Sequence, residues 1–580
     1  MENLTYTEIL KRHSELRLLA KKSEVYKISV ISNTTVHQFK EILEYSLQMN
    51  NIYSQVQIGD YDNIVQDSLK FNQSNAIFIF WEISNLTEGL QHEIELFDDK
   101  QLQDLLDKVK SEIALVFENL KNTSLVIFNY FSTIAFSDSN IQKNNLDWLS
   151  SHLNDYLDKN SPKNVKLINL ERRISKIGIE RSIDYRFFYS SKSLYKIEFY
   201  KNYVEQIKPL LLSANGKAKK ALIFDCDNTL WKGILGEDGF DGIDMSAHTK
   251  NGKIFREIQN IALSLSKQGV LLGICSKNNK SDVEEVISIH PDMLLNNDIL
   301  TIKKVNWIDK ATNLIEMAQE LNIGLDSFVF VDDSSFEVNL IKEQLPEVKV
   351  LQVPTRLHDY PQLLRDNLGL FYNLSYTKED LNKNEMYKQQ GIRESLKNEF
   401  STIDDYLSSL GLKINVYIDD KSIISRMSQM SQKTNQFNLT TKRYTEKDIE
   451  NFIDSLNTKV FAWSVSDKFG DNGITGLCII KLESNSQKAE IDTFLMSCRI
   501  IGRNIESSIM DFIINDLYKL GVRKISAKFI ETSKNSQVKE FYKKNSFTNK
   551  KEIQKQIHYE LMVDVYQKHN INYIKLENGK

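Results

Sequence analysis

The sequence predicts an α/β protein with three domains: an N-terminal three-layer α/β domain, a central Rossmann-like domain and a C-terminal α+β domain. Apolar strand-like runs alternate with helical patterns near the amino end, which is typical of a parallel sheet covered by helices. Three apolar runs in the middle of the chain end in polar or acidic residues, as strands do at the ligand-binding edge of an α/β sheet. The last part combines strands, a hairpin signal and a loop that leads into a helix. We expect a domain at 1–180, a connector at 181–216, a domain at 217–375, a helical linker at 376–410 and a domain at 411–580.

The composition is that of a soluble globular protein of 580 residues with a formal net charge of −4. This charge predicts no general attraction to nucleic acid. No apolar run approaches the roughly 20 residues that cross a bilayer, so no membrane partner is expected. The charged N-terminus lacks the pattern of a signal peptide. None of the four cysteines belongs to a CxxC pair, which favours a reducing, cytoplasmic setting without a zinc site or disulfide framework.

The N-terminal domain is predicted from five strand-like runs, at 25–31, 52–58, 76–83, 125–129 and 165–168. Ser32 and Asn33 follow the first run, Gly59 and Asp60 follow the second and Asn129 ends the fourth, a layout that resembles the SGNH hydrolases and also fits a flavodoxin-like sheet. A serine hydrolase needs a histidine and an acid brought to the serine. No late Asp-x-x-His is present in this segment, and His152 lacks that setting. We therefore expect a degenerate scaffold or docking domain and assign no catalytic role to Ser32, Asn33 or Asn129.

The connector at 181–216 is rich in aromatic residues and ends in a helical pattern at 197–212. We interpret the aromatic residues as packing between domains rather than as a ligand cage.

The central domain opens with the stretch 221–239, ALIFDCDNTLWKGILGEDG. An apolar strand ends here in two acids, Asp225 and Asp227. Because side chains alternate along an extended chain, these two acids point one way and Cys226 the other. A carboxylate nucleophile at Asp225 would attack phosphorus, and Asp227 would protonate the leaving oxygen and later deprotonate water.

Three further positions fit phosphoryl transfer. Ser276 ends the apolar run at 270–276 and offers a hydroxyl to a phosphoryl oxygen. Lys310 opens a helical pattern, where the helix dipole does not favour a cation, and would neutralise the nucleophile and the phosphoryl group. Asp332 and Asp333 end a third strand and, with Asp225, offer the oxygen ligands that Mg²⁺ prefers.

The DxDxT pattern of the opening stretch resembles the phosphate-handling motif of the haloacid-dehalogenase (HAD) phosphotransferases, and the later positions follow in the HAD order. This resemblance selects Lys310 over the nearby lysines. It also implies that Asp227 contributes its backbone carbonyl to Mg²⁺, so that Asp225, Asp227 and Asp332 hold the ion and Asp333 acts through water.

The longer form, DxDNTLW followed by GEDG, resembles the FkbH-like proteins of polyketide and related assembly lines. The last motif departs from the pattern of that group, because 332–338 reads DDSSFEV and lacks its Asn-Pro and Arg. Asp225 and Ser276 are about one βαβ unit apart, which leaves no room for a large cap domain. A capless, open site suits a phosphate carried by a macromolecule, such as the phosphopantetheine arm of a carrier protein.

The C-terminal domain is predicted from strands at 413–418, 459–465, 489–496, 524–529 and 558–563, with helices at 423–430 and 535–545. SCRIIGRNIE, after the third strand, resembles the acyl-CoA pyrophosphate loop of GNAT acetyltransferases, in which backbone N–H groups at a helix N-terminus hold phosphate. The matching positions are Arg499, Gly502 and Arg503. KTNQFNLTT, KFGDNG and MSCRIIGRNIE, in this order, also resemble the FkbH C-terminal region. Lys433 and its neighbours face either a pantetheine arm or ordinary polar partners.

The FkbH resemblance implies an enzyme that takes 1,3-bisphosphoglycerate, forms a glyceryl thioester, removes the remaining phosphate and passes the glyceryl group to an acyl carrier protein. The implied cofactors are Mg²⁺ and a carrier's phosphopantetheine or CoA. Either Cys226 or Cys498 would carry the acyl group. Cys226 should face the core, whereas a helix N-terminus would lower the pKa of Cys498. Two alternatives remain: a Mg²⁺-dependent phosphatase without acyl transfer, and a non-catalytic interaction protein.

Overall fold

The computed structural model describes residues 4–19, 25–137, 144–374, 385–387, 389, 393, 396, 400–483, 487–532, 534–553 and 555–578. Most of the predicted linker at 376–410 lies outside these residues. The chain forms two compact units, one of Met1–Asn215 with Tyr444–Asn451 and one of Gly216–Arg443 with Phe452–Lys580. Within the described ranges, no helix is both long and apolar enough to cross a membrane.

The first unit contains a five-stranded parallel sheet in the order β2-β1-β3-β4-β5. Its strands are β1 Tyr26–Ser32, β2 Ser54–Tyr61, β3 Ala76–Phe80, β4 Leu125–Asn129 and β5 Val165–Ile168. Its helices are Tyr6–Leu19, His37–Gln48, Ile64–Lys70, Leu90–Glu93, Asp99–Asn119, Asn145–Asn160, Glu171–Ile177, Ile179–Ser182, Tyr185–Ser191 and Ile197–Ala214. This is the doubly wound order of flavodoxin-like folds, in which ligands bind where the order reverses, between β1 and β3.

Both faces of this sheet are covered, as the predicted three-layer fold requires. Ile77 and Ile79 of β3 pack in a buried cluster with the long helix Asp99–Asn119. On the opposite face, the ring of Phe80 lies 5.2 Å from that of Phe39 in an edge-on contact. A parallel sheet buried on both sides explains why its strands are continuous apolar runs in the sequence.

Aromatic residues on the last helix of the connector belong to the core of this same unit, which differs from the expected packing between domains, whereas Tyr185, Phe187 and Tyr189 are exposed. Tyr200 and Tyr203, on the helix Ile197–Ala214, are fully buried, and the ring of Tyr203 lies 5.2 Å from that of Phe80. The Tyr203 hydroxyl donates to Asn129 Oδ1 at 2.6 Å. The helix therefore covers one face of the sheet and reaches the end of β4.

The polar residues after β1 are bonded within the protein. Ser32 donates its hydroxyl to the carbonyl of Thr34 at 2.8 Å. Asn33 donates its side-chain amide to the carbonyl of Glu82 at 2.9 Å and accepts the backbone N–H of the same residue. His152 contacts the carbonyl of Trp148 in its own helix. These bonds occupy the groups that a hydrolase would direct at a substrate, and the SGNH resemblance stays a prediction.

The second unit begins with another parallel sheet, in the order β10-β9-β6-β7-β8. Its strands are β6 Ala221–Phe224, β7 Leu271–Ser276, β8 Leu300–Val305, β9 Phe328–Asp332 and β10 Lys349–Gln352. The helices of this domain are Leu235–Asp238, Gly252–Lys267, Lys280–Ile289, Lys310–Glu320, Ser335–Gln344 and Tyr360–Asn367. Leu222 and Phe224 pack toward helix Gly252–Lys267, while Ile223 packs toward helix Lys310–Glu320, so this domain is also three-layered. Residues 144–374 are all described, and within them the connections from β6 to β8 hold only short loops and helices, with no cap domain.

The C-terminal domain has an eight-stranded sheet in the order β16-β17-β15-β14-β13-β12-β11-β18. Its strands are β11 Lys413–Ile418, β12 Thr458–Asp467, β13 Gly470–Leu482, β14 Lys488–Met496, β15 Lys524–Ile530, β16 Thr548–Ile553, β17 Gln556–Met562 and β18 Lys575–Asn578. Its helices are Ile403–Ser409, Ile424–Lys433, Ile505–Lys519 and Phe541–Lys544, while the helix Glu446–Asp454 begins in the segment Tyr444–Asn451 that belongs to the first unit. The pairs β14–β15 and β11–β18 are parallel, and the other neighbours are antiparallel.

Two local predictions in this domain are wrong. The Asn-Gly pair, Asn472-Gly473, lies inside β13, and the hairpin turn is formed by residues 468–469, because Asp467 pairs with Gly470. Burial of Asn472, which donates to the carbonyl of Val465 at 3.2 Å, explains why a typical turn pair can occupy a strand.

The predicted helix at 535–545 is a 3₁₀ turn at Ser536–Val538 followed by the short helix Phe541–Lys544. Asn535 donates its amide to the carbonyls of Asn438 and Ile530, each at 2.9 Å, which holds it in the loop.

Candidate active site

The carboxyl edge of the central sheet brings the predicted phosphoryl-transfer residues together. Strands β6 and β9 are parallel neighbours in which Phe224 pairs with Val331, so the residues that follow, Asp225 and Asp332, lie side by side. Ser276 ends β7, on the other side of β6. Three strands therefore deliver two acids and a hydroxyl to one edge, as expected for a ligand site of an α/β sheet.

Lys310 reaches this edge from the start of helix Lys310–Glu320. Asp309 caps the helix by accepting the N–H of Thr312 at 2.8 Å, which fixes the position of the next residue. The Lys310 Nζ atom lies 2.7 Å from Asp332 Oδ2 and 3.1 Å from Asp225 Oδ1. Burial opposes its charge, but the two carboxylates outweigh burial and raise its pKa above the ordinary value.

Three carboxylates at this edge lie within reach of one ion. Oxygen atoms of Asp225, Asp332 and Asp333 lie within 4.8 Å of one another. Burial, together with the neighbouring charge of Asp225, raises the pKa of Asp332 to about 7, and burial also raises the pKa of Asp225 and Asp333. One lysine cannot neutralise three carboxylates, so the donor set fits a divalent cation with oxygen ligands, as Mg²⁺ is. Asp333 belongs to this cluster, and its expected second-shell or water-mediated role stays a prediction.

Asp227 is held apart from the three clustered carboxylates. Its Oδ1 atom accepts the indole N–H of Trp231 and the backbone N–H of Leu235, each at 3.0 Å. Its Oδ2 atom accepts the side-chain amide of Asn278 at 2.8 Å. Three donors fix the carboxylate in one orientation, which suits a group that must transfer a proton at a defined point.

Sequence reasoning missed the roles of Trp231 and Asn278. The spacing of four residues between Asp227 and Trp231 is the available signal, since the turn after β6 brings the two together. Asn278 also donates to Ser276 Oγ at 3.2 Å, so it links the second strand end to Asp227. Ser276 itself is buried.

The two candidate acyl carriers lie in different places. Cys226 is fully buried, as the alternation of side chains predicted, and burial raises the pKa of its thiol well above the ordinary value. Cys498 is half-buried and begins the 3₁₀ turn Cys498–Ile500. Its pKa is raised by burial, so the expected lowering by a helix N-terminus is wrong. Cys275 and Cys478 are buried, as predicted.

Cys498 lies at the amino edge of the central sheet, away from Asp225. Its carbonyl accepts the side-chain amide of Asn322, which precedes β9, and its thiol faces Lys220, which precedes β6. Asp225 follows the carboxyl end of β6. Four strand residues separate the two ends, a distance of about 13 Å at roughly 3.3 Å per residue.

The predicted pyrophosphate loop has the expected backbone but engaged arginine side chains. Gly502 has a positive φ of 81°, and helix Ile505–Lys519 begins after Asn504. Arg503 pairs with Asp467 at 3.2 Å and donates to the carbonyl of Arg499 at 2.8 Å. Both arginines are buried. In this loop the backbone N–H groups at the helix start, rather than the Arg503 guanidinium, are the groups suited to an anion.

The gap between β14 and β15 is filled by the chain itself. The two strands pair only from Lys488 to Ile491, and beyond that point they separate. Phe437 and Leu439 bond to both sides of the gap: Met496 donates its N–H to Phe437 at 2.9 Å, and Ile530 donates to Leu439 at 2.8 Å. A pantetheine arm that entered this gap would have to displace the segment 437–439.

Searches with the sequence match no family model and no curated protein. Among solved structures, the chain is similar to the N-terminal part of the protein BF1531 from Bacteroides fragilis, which contains a phosphatase domain and is complexed with Mg. The identity is 24%, the TM-score is 0.56, and the alignment covers 64% of this chain and 100% of that one. This likeness shows a shared fold.

Two acetyltransferase structures are similar over a shorter part of the chain. One is the ribosomal-protein-S18-alanine N-acetyltransferase from Escherichia coli, with 12% identity, 27% of this chain and 98% of that chain covered, and a TM-score of 0.21. The other is a GNAT-family acetyltransferase from Desulfovibrio desulfuricans. Its identity is 12%, the alignment covers 26% of this chain and 99% of that chain, and the TM-score is 0.21. The chain is an α/β protein that joins an N-terminal parallel domain, a second parallel domain and an α+β domain in which a loop and the helix Ile505–Lys519 connect the parallel pair β14 and β15.

Proposed function

We propose that this chain is an FkbH-like phosphotransferase/phosphatase that processes 1,3-bisphosphoglycerate and loads a glyceryl group onto an acyl carrier protein in polyketide or related biosynthesis. The observation that carries the phosphoryl-transfer part is the position of Lys310 between Asp225 and Asp332, at 3.1 and 2.7 Å. A buried lysine between two carboxylates at one sheet edge neutralises charge where phosphoryl transfer requires it.

The phosphatase step follows from the residues at this edge. Asp225 attacks phosphorus through one carboxylate oxygen, and the bond from phosphorus to the leaving oxygen breaks. Asp227 supplies a proton to that oxygen, then accepts one from the water that hydrolyses the aspartyl-phosphate. Asp225, Asp332 and Asp333 would hold Mg²⁺, which when bound neutralises the charge of the transferred group.

For the acyl step, Cys498 is the better placed of the two cysteines. Cys498 is only partly buried and lines a cavity, whereas Cys226 is fully buried in the central core. The thiolate would attack the acyl carbon of the acyl phosphate, the bond from that carbon to the phosphate oxygen would break, and phosphate would leave. Because Cys498 lies at the opposite edge from Asp225, the two steps would occur at separate sites.

An exposed aromatic pair supports a substrate carried by a protein. Trp307 follows β8 and is 71% exposed, and Phe336 follows the acids of β9 and is 69% exposed. The Trp307 indole bonds to Asn279 at 3.2 Å, next to Asn278 at the site. Exposed aromatic side chains beside an open site are typical of surfaces that contact a macromolecule.

A second candidate is a Mg²⁺-dependent phosphatase that acts on another tethered or small substrate without acyl transfer. The observations that favour it are the filled gap between β14 and β15 and the raised pKa of Cys498. The filled gap leaves no space for a pantetheine arm between the two strands, and the raised pKa makes the Cys498 thiol a weaker nucleophile. Neither observation affects the phosphoryl-transfer residues at the carboxyl edge of the central sheet.

Intact-protein mass spectrometry distinguishes these two functions. The full-length chain, with Cys226→Ala and Cys498→Ala variants, is incubated with 1,3-bisphosphoglycerate, Mg²⁺ and a phosphopantetheinylated carrier protein. The proposal expects a glyceryl adduct on the wild type and on Cys226→Ala, none on Cys498→Ala, and transfer to the carrier. Phosphate release that is lost in Asp225→Asn, with no glyceryl adduct on any of the proteins, supports the second function. If neither phosphate nor an adduct is formed, both functions are contradicted.

A further inference from the structure

A cavity of about 50 Å³ lies where the C-terminal domain meets the amino edge of the central sheet. Its lining includes four cationic side chains, those of Lys220, Arg426, Lys433 and Arg499, and no carboxylate. The half-buried thiol of Cys498 forms part of the same wall. Four cations around one partly open cavity, with no acid among the described residues that line it, favour the binding of an anion.

Backbone carbonyls, which carry no net charge, contact three of these cations. Lys220 Nζ donates to the carbonyl of Lys433 at 2.5 Å, and Arg426 donates to that of Ile474 at 3.2 Å. Arg499 donates one N–H to the carbonyl of Asn472 at 3.3 Å. Such contacts orient these side chains along the wall of the cavity. Burial accordingly lowers the pKa of Lys220.

Arg499 supplies the second, independent observation. The residue is only 4% exposed, and its Nε atom has no hydrogen-bond partner in the structure. A buried donor without an acceptor costs about 1–3 kcal/mol, and more for a charged group, so such donors are rare in folded proteins. An oxyanion in the cavity would offer the acceptor that the chain itself does not provide.

The size of the cavity limits the ligand. One water needs about 10–15 Å³, so 50 Å³ admits a group of several heavy atoms and excludes a whole nucleotide. We propose that this cavity, here called the amino-edge cavity, binds one phosphate group, with Arg499, Arg426 and Lys433 as its ligands and Cys498 at its wall. The shared chemistry is a phosphate oxyanion, whether it is inorganic phosphate or the phosphate of a phosphopantetheine.

This site differs from the phosphatase site; phosphate binding there stands without the proposed function, whereas phosphopantetheine as the ligand rests on it. Lys220 precedes β6 and Asp225 follows it, so the two sites lie at opposite ends of one strand. The nearby acid Asp326 acts on Lys220 but is itself paired with Lys534. Loss of phosphatase chemistry would therefore leave the amino-edge cavity intact.

The thiol of Cys498 reports occupancy of the cavity. The full-length Asp225→Asn protein is treated with N-ethylmaleimide in EDTA, with and without inorganic phosphate or S-methyl-4′-phosphopantetheine, which has no free thiol to consume the reagent, and alkylation of Cys498 is followed by peptide mass spectrometry. A ligand at ten times its Kd should slow alkylation about tenfold. Lys433→Gln and Arg426→Gln should abolish the protection, and the exposed control Lys519→Gln should retain it.

Each outcome decides the proposal. Protection by both probes assigns the cavity to the phosphate group itself, and protection by phosphopantetheine at far lower concentration assigns it to the arm. Unchanged alkylation with both probes, or equal protection in Lys433→Gln, overturns the proposal. If the thiol reacts too slowly to follow, calorimetric titration of the same probes into Asp225→Asn, with and without Lys433→Gln, gives the same decision.

Discussion

The Nζ atom of Lys310 lies 2.7 Å from Oδ2 of Asp332, and both side chains are buried. The lysine starts a helix and the acid ends a strand, so the contact joins two residues that lie 22 positions apart in the sequence. The Oδ1 atom of Asp225 lies 3.1 Å from the same Nζ atom. A buried cation with two partners is oriented without freedom to swing away, which is the preorganisation that charge stabilisation in a transition state requires.

Replacing Lys310 with methionine should lower kcat for phosphate release by about 10²–10³-fold, the range found when one preorganised donor is removed. The variant leaves Asp225 and Asp332 without their cation, so charge on the transferred phosphoryl group is less well stabilised. Initial rates of phosphate release with Mg²⁺ measure the effect. Lys304→Met is the matched control, because Lys304 pairs with Glu316 on the surface. Activity of Lys310→Met equal to that of the control would contradict the assigned role.

Mg²⁺ should stabilise the folded protein through the three clustered acids. A ligand at 100 times its Kd adds about 2.7 kcal/mol to the free energy of unfolding, so the thermal midpoint should rise when Mg²⁺ is added. The rise should vanish in Asp332→Asn and shrink in Asp333→Asn. Differential scanning calorimetry with Mg²⁺ or EDTA measures it.

The controls separate metal binding from acid–base chemistry. The exposed Asp241→Asn should keep the full Mg²⁺ effect. Asp227→Asn should also keep it, because the carboxylate of Asp227 lies outside the cluster, while phosphate release is lost. A Mg²⁺ effect that persists in Asp332→Asn would place the ion elsewhere.

Removing the exposed aromatic pair should weaken the use of a protein-borne substrate. In the double variant Trp307→Ala/Phe336→Ala, the KM for a phosphorylated group on a carrier protein should rise about tenfold, which corresponds to about 1.4 kcal/mol of lost contact. The KM for a small phosphate ester should change little, because neither residue belongs to the clustered acids. Steady-state rates with both substrates test this.

A matched control for that variant is Leu456→Ala, which removes a side chain that is 98% exposed in the C-terminal domain. It should leave both KM values unchanged. Equal effects on the carrier-borne and the small substrate would indicate that the aromatic pair supports the fold of the site instead of contacting a partner.

The ends of β6, β7 and β9 could be predicted from the sequence because each is a short, fully buried apolar run that stops at a polar residue. The strands β8 and β10, which are only partly buried, could not. Local patterns of this kind need no knowledge of distant partners. The contacts of Asp467 could not be predicted, because its partners Arg393 and Arg503 lie 74 and 36 residues away. The insertion of 437–439 between β14 and β15 depends on three separate segments. The raised pKa of Cys498 likewise depends on burial by another part of the chain.

Glu82 makes the first unit sensitive to pH. It is buried, accepts the Tyr195 hydroxyl at 2.7 Å, and burial raises its pKa to about 7 from an ordinary 4.5. Between these values the folded protein holds a proton that the unfolded chain releases. The contribution of Glu82 to the free energy of unfolding is therefore fully present below pH 4.5, falls as the pH rises, and is lost above about pH 7. The free energy of unfolding should fall by about 3 kcal/mol across this range, because one pKa unit corresponds to about 1.36 kcal/mol.

Glu82→Gln should remove this dependence, because the amide keeps the size of the side chain and an acceptor for Tyr195 but carries no charge at any pH. Hydrogen exchange of the β3 amides, followed by mass spectrometry, should show that wild-type protection falls between pH 5 and pH 8 after correction for the intrinsic exchange rate, whereas that of Glu82→Gln stays level. The exposed Glu88→Gln should behave like the wild type. A wild-type protein with pH-independent protection would mean that Glu82 titrates in the folded state as it does in the unfolded chain, and that burial is offset by its hydrogen bonds.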